Sequence, residues 1–214
     1  MTIRVLIADD HKVVAEGLGH LLAAQPDIEV VGTVRTGREA VRRAAELQPD
    51  VVVMDSNMPD LNGIEATRLL RERLPQARVV MLSVLADPLH IVRALRAGAS
   101  GYVPKSCAGS DVAEAIRAVH RGKRYLHATI SEAVMAELVE PRSDDDRLAL
   151  LSSRERQVLQ MVAEGKSVAE MAEAMSLSPR TVETYRARMM DKLRIRDVAG
   201  IVKFAIAHGL TSLE

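Results

Sequence analysis

Five short apolar runs, separated by stretches with helical spacing, constrain the first part of this chain more than any other feature. The runs are residues 4–8 (RVLIA), 28–34 (IEVVGTV), 51–54 (VVVM), 77–83 (ARVVMLS) and 100–103 (SGYV). Between them apolar residues recur at i, i+3 and i+4, as in Val13, Val14, Leu18, Leu21 and Leu22, or Ile91, Val92 and Leu95. A run that is Val, Ile and Leu almost throughout has no polar face, so it suits a strand covered on both sides. Helices between such strands demand parallel neighbours and right-handed crossovers. Residues 1–122 are therefore expected to form an α/β domain built on a five-stranded, doubly wound parallel sheet.

After Tyr125 the alternation stops and nothing further reads as a strand. A short amphipathic helix at about 130–139 leads into PRSDDDR, a breaker followed by an acidic run with little to bury. Residues 123–147 read as a linker, and 148–214 as a small all-α module of four helices. Ser152 with Glu155, and Ser167 with Glu170, fit capping boxes at two helix starts. Ser178-Pro179 supplies an N-cap and a first-turn proline for a third helix, and Asp197 can cap a fourth.

Composition excludes several classes. The chain has 214 residues with 29 Lys and Arg against 29 Asp and Glu, which suits neither a uniformly basic coat protein nor an acidic disordered chain. The neutrality is a cancellation: +2 over residues 1–124, −4 over 125–147 and +2 over 148–214, with +4 concentrated in 180–203. Four aromatics, Tyr102, Tyr125, Tyr185 and Phe204, are too few for base-stacking platforms. The lone cysteine, Cys107, rules out an intrachain disulfide and any Cys-x-x-Cys motif. No signal-like segment and no apolar run of roughly 18 residues occurs, so a cytoplasmic protein without a membrane partner is expected.

In a doubly wound sheet, ligands gather at the carboxyl ends of the strands. Asp9 and Asp10 close the first run, Asp55 the third and Ser83 the fourth, while Lys105 follows the fifth. Any one of these alone would read as a helix cap or surface charge; it is their convergence on one edge that argues for a site. Carboxylates so close repel unless a cation joins them, and hard oxygen donors suit Mg²⁺. A carboxylate beside Mg²⁺ and a lysine can accept a phosphoryl group.

DD at the first strand, DSNMPDLNG at the third, a hydroxyl at the fourth and YVPK at the fifth resemble the receiver domain of two-component response regulators, over residues 3 to about 122. The resemblance implies that Asp55 is the phosphoacceptor. Asp9 and Asp10 would hold Mg²⁺ beside Asp55, with the backbone carbonyl of Asn57 completing the set. Ser83 and Lys105 would bind phosphoryl oxygens, and Tyr102 would be the aromatic that swings inward when Ser83 moves, carrying the change to the surface of the fourth and fifth helices. Pro59 and Gly63 would shape the loop after Asp55, glycine by adopting positive φ. The chain departs from the family in placing Pro104 before Lys105 and Ser106 after it, and Ser83 where threonine is commoner. His11 reads as a neighbour of the site rather than a ligand, and Cys107 as a bystander.

In the last segment a helix at Val168–Met175, a turn at LSPRT and a helix over 182–193 follow one another. Val182, Met189 and Leu193, with Tyr185 or Arg186 between, point inward; Thr181, Glu183, Thr184, Ala187, Arg188, Asp191 and Lys192 remain outside, a face suited to a major groove. The stretch from Leu151 to about Leu210 resembles the LuxR-type helix-turn-helix of the NarL/FixJ regulators. That resemblance makes 181–192 the recognition helix, with Glu183, Thr184, Ala187 and Arg188 approaching base edges. Arg180, Thr181, Arg186, Lys192, Arg194 and Arg196 would contact phosphates. Tyr185 stands where histidine is frequent, and Val168-Ala169 where a polar pair is common. The closing helix, 198–208, would supply a two-fold dimer face.

Together the resemblances imply a non-enzymatic transcription regulator. It would be phosphorylated by a sensor histidine kinase, bind promoter DNA as a homodimer, and have RNA polymerase as a further candidate partner. One small basic patch neutralises few phosphates, so a monomer should bind DNA weakly. Two rivals differ in chemistry. A phosphorylation-independent DNA-binding or interaction hub would carry a vestigial receiver, against which the intact acid set argues. A haloacid-dehalogenase-type phosphatase would need Asp-x-Asp after the first strand, where this chain has adjacent Asp9 and Asp10.

Overall fold

The computed structural model describes residues 2–84, 87–107, 109–139 and 147–211. The chain divides into two compact units, one holding every strand and the first six helices, the other the remaining helices. The acidic run at 144–146, expected to lie in the linker, falls outside the described residues.

The first unit alternates β1 (Ile3–Ala8), α1 (Lys12–Ala23), β2 (Ile28–Val34), α2 (Gly37–Leu47), β3 (Val51–Asp55), α3 (Gly63–Arg73), β4 (Arg78–Ser83), α4 (Pro88–Ala97), β5 (Gly101–Pro104) and α5 (Gly109–His120). All pairings are parallel, in the order β2-β1-β3-β4-β5. β3 is buried at all five positions, as the run of Val51, Val52, Val53 and Met54 requires, and it carries Asp55 into the same buried layer at its end. Ile3, Val5, Ile7, Val51, Val53, Val80 and Val103 pack against Leu18 and Leu22 of α1 and Ile116 of α5. Arg117 of α5 reaches Asp27 with two guanidinium nitrogens, each 2.7 Å from a carboxylate oxygen, and so ties α5 to the loop before β2.

Five strands were expected and six are present among the described residues. β6 (Tyr125–Leu126) adds itself in parallel beside β5, with Tyr125 N–H donating to Ser100 O at 3.0 Å. Two residues are too few to display a strand periodicity. The helix that follows, α6 (Ala128–Val139), buries Ile130 and Val134 and neighbours α4.

The second unit opens with a 3-10 turn (Arg147–Leu150) and continues with α7 (Ser153–Ala163), α8 (Val168–Met175), α9 (Pro179–Leu193) and α10 (Val198–Ala207). Both expected capping boxes form, at Ser152/Glu155 and Ser167/Glu170. Ser178 caps α9 with Pro179 in its first turn, and Asp197 caps α10. The core is Leu151, Val158, Leu159, Met161, Met171, Met175, Val182, Met189, Leu193, Ile201 and Phe204. Among the described residues no helix of either unit is long and apolar enough to cross a membrane.

Candidate functional site

Parallel register brings the strand ends to one edge of the sheet. Ala8 lies opposite Met54, Asp55 opposite Leu82, and Ser83 opposite Pro104, so the residues that follow β1, β3, β4 and β5 converge. Asp9 and Asp55 are almost wholly buried, at 1% and 2% exposure, and Asp10 is half-buried. The Lys105 ammonium sits 2.8 Å from Asp9 Oδ2 and 2.9 Å from Asp55 Oδ2. Burial, and secondarily the Asp9 charge, push the Asp55 carboxyl up to about 6 even though Lys105 and the Asn57 N–H oppose the shift. Burial works to lower the Lys105 ammonium, but its two carboxylate partners outweigh that and raise it.

His11 lies closer than the sequence suggested, with Nδ1 2.9 Å from Asp10, 3.3 Å from Asp9 and 3.7 Å from Asp55. Asn57 donates its N–H to Asp55 Oδ1 at 3.3 Å, and its own buried Oδ1 has no hydrogen-bond partner among the described residues. The carboxylates of Asp9, Asp10 and Asp55, with His11 Nδ1 beside them, have ligand atoms within 4.8 Å of one another, and the three carboxylates supply hard oxygen donors that fit Mg²⁺ in chemistry.

The hydroxyls behave differently from expectation. Ser83 Oγ lies 2.6 Å from Ser56 Oγ, and Ser83 is also hydrogen-bonded to the Tyr102 hydroxyl. Tyr102 is fully buried, already turned inward, and that burial raises its hydroxyl well above the usual range. Ser56 was not singled out in the sequence; its position directly after Asp55 was the available signal.

Gly63 does matter, but not through positive φ, which falls instead on Asp60 (φ 68°). A Cβ on Gly63 would lie 1.9 Å from the carbonyl oxygen of Asp55, so glycine is required because α3 begins against the backbone of the acid loop. Asn62 caps α3 immediately before it.

In the helical unit, α8 and α9 meet through a bend whose left-handed residue is Ser176 (φ 54°), two positions before the Ser178-Pro179 pair expected to carry the turn. Val182, Met189 and Leu193 are fully buried, and it is Tyr185, not Arg186, that joins them in packing on the core. Arg180, Glu183, Thr184, Ala187, Arg188, Arg194 and Arg196 are exposed, while Thr181 and Arg186 are half-buried. Thr184 Oγ1 donates to Arg180 O at 2.9 Å, and Ser178 Oγ and Thr181 Oγ1 share a 2.7 Å hydrogen bond. Lys192 is engaged elsewhere, its ammonium 2.7 Å from buried Glu155. Burial favours protonation of Glu155, but Lys192 and the Ser152 N–H and hydroxyl outweigh it and hold the carboxyl below its ordinary range.

Comparison with known proteins gives one answer for both units. Residues 5–117 match the response regulator receiver domain, and 149–205 match the luxR family of bacterial regulatory proteins. Response regulator UvrY of Escherichia coli K12 is 37% identical over 212 residues, 99% of this chain and 97% of its own. Response regulator GacA of Pseudomonas viridiflava is 37% identical over 208 residues, 97% of each chain. A LuxR-family two-component response regulator from Aurantimonas sp. SI85-9A1, solved by crystallography, superposes with TM-score 0.63 at 36% identity, covering 65% of this chain and all of its own. The chain belongs to the two-component response regulators of the NarL/FixJ type, phosphorylation-controlled transcriptional regulators that join a receiver domain to a LuxR-type DNA-binding domain.

Proposed function

We propose that Asp55 is the phosphoacceptor of this regulator and that α9 reads promoter DNA. The observation that carries the first assignment is the Lys105 ammonium held within 2.9 Å of both Asp9 and Asp55 at the C-terminal edge of the sheet. Asp55 attacks the phosphorus of a phosphohistidine on a sensor kinase, and the histidine departs as the imidazole. Asp9, Asp10 and Asp55, with the Asn57 carbonyl, would hold Mg²⁺, whose contribution when bound is to neutralise charge on the transferring oxygens. Lys105 supports the same charge from the β5 side. Ser83 has a single proton to donate, so donating it to a phosphoryl oxygen fixes the direction of its hydrogen bonds with Ser56 and Tyr102, and uptake at Asp55 thereby acts on the hydroxyl chain that ends on Tyr102.

The DNA step belongs to the exposed face of α9. Glu183, Thr184, Ala187 and Arg188 face base edges, while Arg180, Thr181, Arg186, Arg194 and Arg196 flank them as phosphate contacts. A homodimer on a two-fold site doubles the few phosphates one module neutralises, and RNA polymerase is the partner such a promoter-bound dimer would meet. Residues 1–122, 123–147 and 148–214 serve as receiver, linker and DNA-binding domain in a cytoplasmic protein. Its self-dephosphorylation is single-turnover switching, not enzymatic turnover. Incubation of the full chain with Mg²⁺ and a radiolabelled phosphodonor tests the central assignment. The wild type takes up label and Asp55→Asn does not; label at wild-type level in the variant overturns it.

A further inference from the structure

We propose that Cys107, Asp111 and His127 form a second metal site in the receiver unit, one that takes a zinc-type divalent ion. The three residues come from the turn after β5, the first turn of α5 and the corner between β6 and α6, and none belongs to the acid site around Asp55. Their donor atoms all lie within 4.8 Å of one another, and all three side chains are half-buried. His127 Nε2 is already 3.8 Å from Asp111 Oδ2.

Bond lengths of about 2.3 Å to sulfur and 2.0–2.2 Å to nitrogen and oxygen put the donors of a tetrahedral one-sulfur zinc site roughly 3.3–3.7 Å apart. The Asp111–His127 pair comes to that spacing by closing a few tenths of an ångström, and the thiol, no more than 4.8 Å from either, by closing about 1 Å or less, a small change in χ1. The donor chemistry separates the two sites of the unit. The acid cluster offers three carboxylates with His11 Nδ1 beside them and favours a hard ion, whereas the Cys107 sulfur, joined by one imidazole nitrogen and one carboxylate, favours a borderline-soft ion with water in the fourth position.

The surroundings support this assignment. His127 Nδ1 accepts from the Thr129 N–H at 3.3 Å and lies 2.9 Å from Thr129 Oγ1, so ligation through Nε2 requires the ring proton to move to Nδ1, which then donates to Oγ1, the kind of outer partner that fixes a ligand's tautomer. The His127 N–H, donating to Tyr102 O at 3.2 Å, anchors the corner to β5. Burial, followed by the neighbouring Asp111 charge, pushes the Cys107 thiol up. A divalent cation reverses that balance, and the thiol proton leaves to the buffer as the S–metal bond forms.

The test is a titration of reduced, full-length protein in excess Mg²⁺ with Co²⁺ as a spectroscopic probe, followed by Zn²⁺ competition. Wild type should take up one equivalent, develop a thiolate-to-cobalt charge-transfer band with tetrahedral d–d bands, release about one proton per ion, and lose the bands to Zn²⁺. Cys107→Ser should abolish the charge-transfer band. Asp111→Asn and His127→Gln should weaken binding by about tenfold or more, and Thr129→Val by about tenfold. Asp55→Asn should leave the titration unchanged, which separates this site from the acid pocket. Circular dichroism of each metal-free variant checks that it is folded. Absence of the band in wild type overturns the proposal, as does wild-type affinity in both folded Asp111→Asn and His127→Gln, or loss of the band in Asp55→Asn.

Discussion

The two units keep their chemistry in opposite places. In the receiver unit the groups that matter are inside: Asp9, Asp55, Ser56, Ser83 and Tyr102 are all essentially sealed from solvent at the strand ends. In the helical unit the groups proposed to read DNA are outside, spread along the exposed face of α9, and the buried polar residues Glu155, Gln157 and Gln160 all lie on α7. A sheet edge can bring together residues nearly a hundred positions apart, but it does so within the core, where desolvation raises Asp55 and demands a partner such as Lys105. A helix offers neighbours at i+3 and i+4 from one short segment and needs only to cover its other side. On the proposed reading, one unit responds to a charge that it encloses and the other presents charges to a ligand too large to enclose.

If each unit has a core of its own, damage to one should spare the chemistry of the other, and this carries the largest expected effect. Leu159 is fully buried among Val158, Met161, Val182 and Met189. Leu159→Ala should destabilise the helical unit by about 2–5 kcal/mol. Segment-resolved hydrogen exchange in the full chain would show faster exchange across α7–α10, with labelling of Asp55 retained. Loss of both together would break the comparison.

Burial of polar groups in the receiver has a further consequence at His90. It lies in the first turn of α4 and is almost wholly buried, and neither ring nitrogen has a hydrogen-bond partner among the described residues. Burial, with Arg93 adding to it, lowers the imidazole to about 4. The unfolded chain takes up a proton near pH 6.5 that the folded imidazole refuses until about pH 4. Receiver stability should therefore be full above about pH 6.5 and fall as the pH drops through that window, by about 3 kcal/mol at its foot. His90→Leu removes the titrating group, so urea unfolding at pH 7 and pH 4.5 should differ less in the variant. An unchanged difference would remove His90 from the account.

What could be read from the sequence follows the same division. Strand positions were legible because continuous Val/Ile/Leu runs have one structural use, and the acid site because its members stand directly after those runs. Helix starts at Ser152, Ser167, Ser178 and Asp197 were legible because a cap and its partner lie within three residues. Contacts set by register were not. The Ser56–Ser83 hydroxyl pair spans 27 positions, the Lys192–Glu155 pair 37, and β6 exists only because β5 offers it an edge. Gly63 was identified for the wrong reason, since a local rule about φ cannot anticipate the carbonyl of Asp55 packed against it.

On the exposed side of the comparison, Arg188 is the group expected to read a base. Arg188→Ala should cost about 1–3 kcal/mol in specific promoter binding and relax the preference at one position, read by fluorescence anisotropy against a panel of single-base variants. An equal loss across every sequence would move Arg188 to the phosphate contacts.

Lys192 tests where the boundary between inside and outside runs along α9. The family resemblance placed it on the DNA backbone, yet its ammonium lies on the Glu155 oxygen that also accepts from the Ser152 N–H and hydroxyl. A lysine contacting phosphate contributes about one unit to the slope of log affinity against log salt, so Lys192→Ala would flatten that slope by about one. A lysine committed to Glu155 leaves the slope unchanged and costs stability instead. With its side chain 40% exposed the cost is small, about 0.2–1 kcal/mol, because solvent screens the pair. That contribution should also depend on pH. Glu155 is held below its ordinary range, so the stabilisation is present above about pH 4.3 and fades as the pH falls through the folded value. We expect an unchanged salt slope with a small, acid-sensitive loss of stability, which would assign Lys192 to the packing of α9 on α7; a flattened slope would return it to the DNA-reading face.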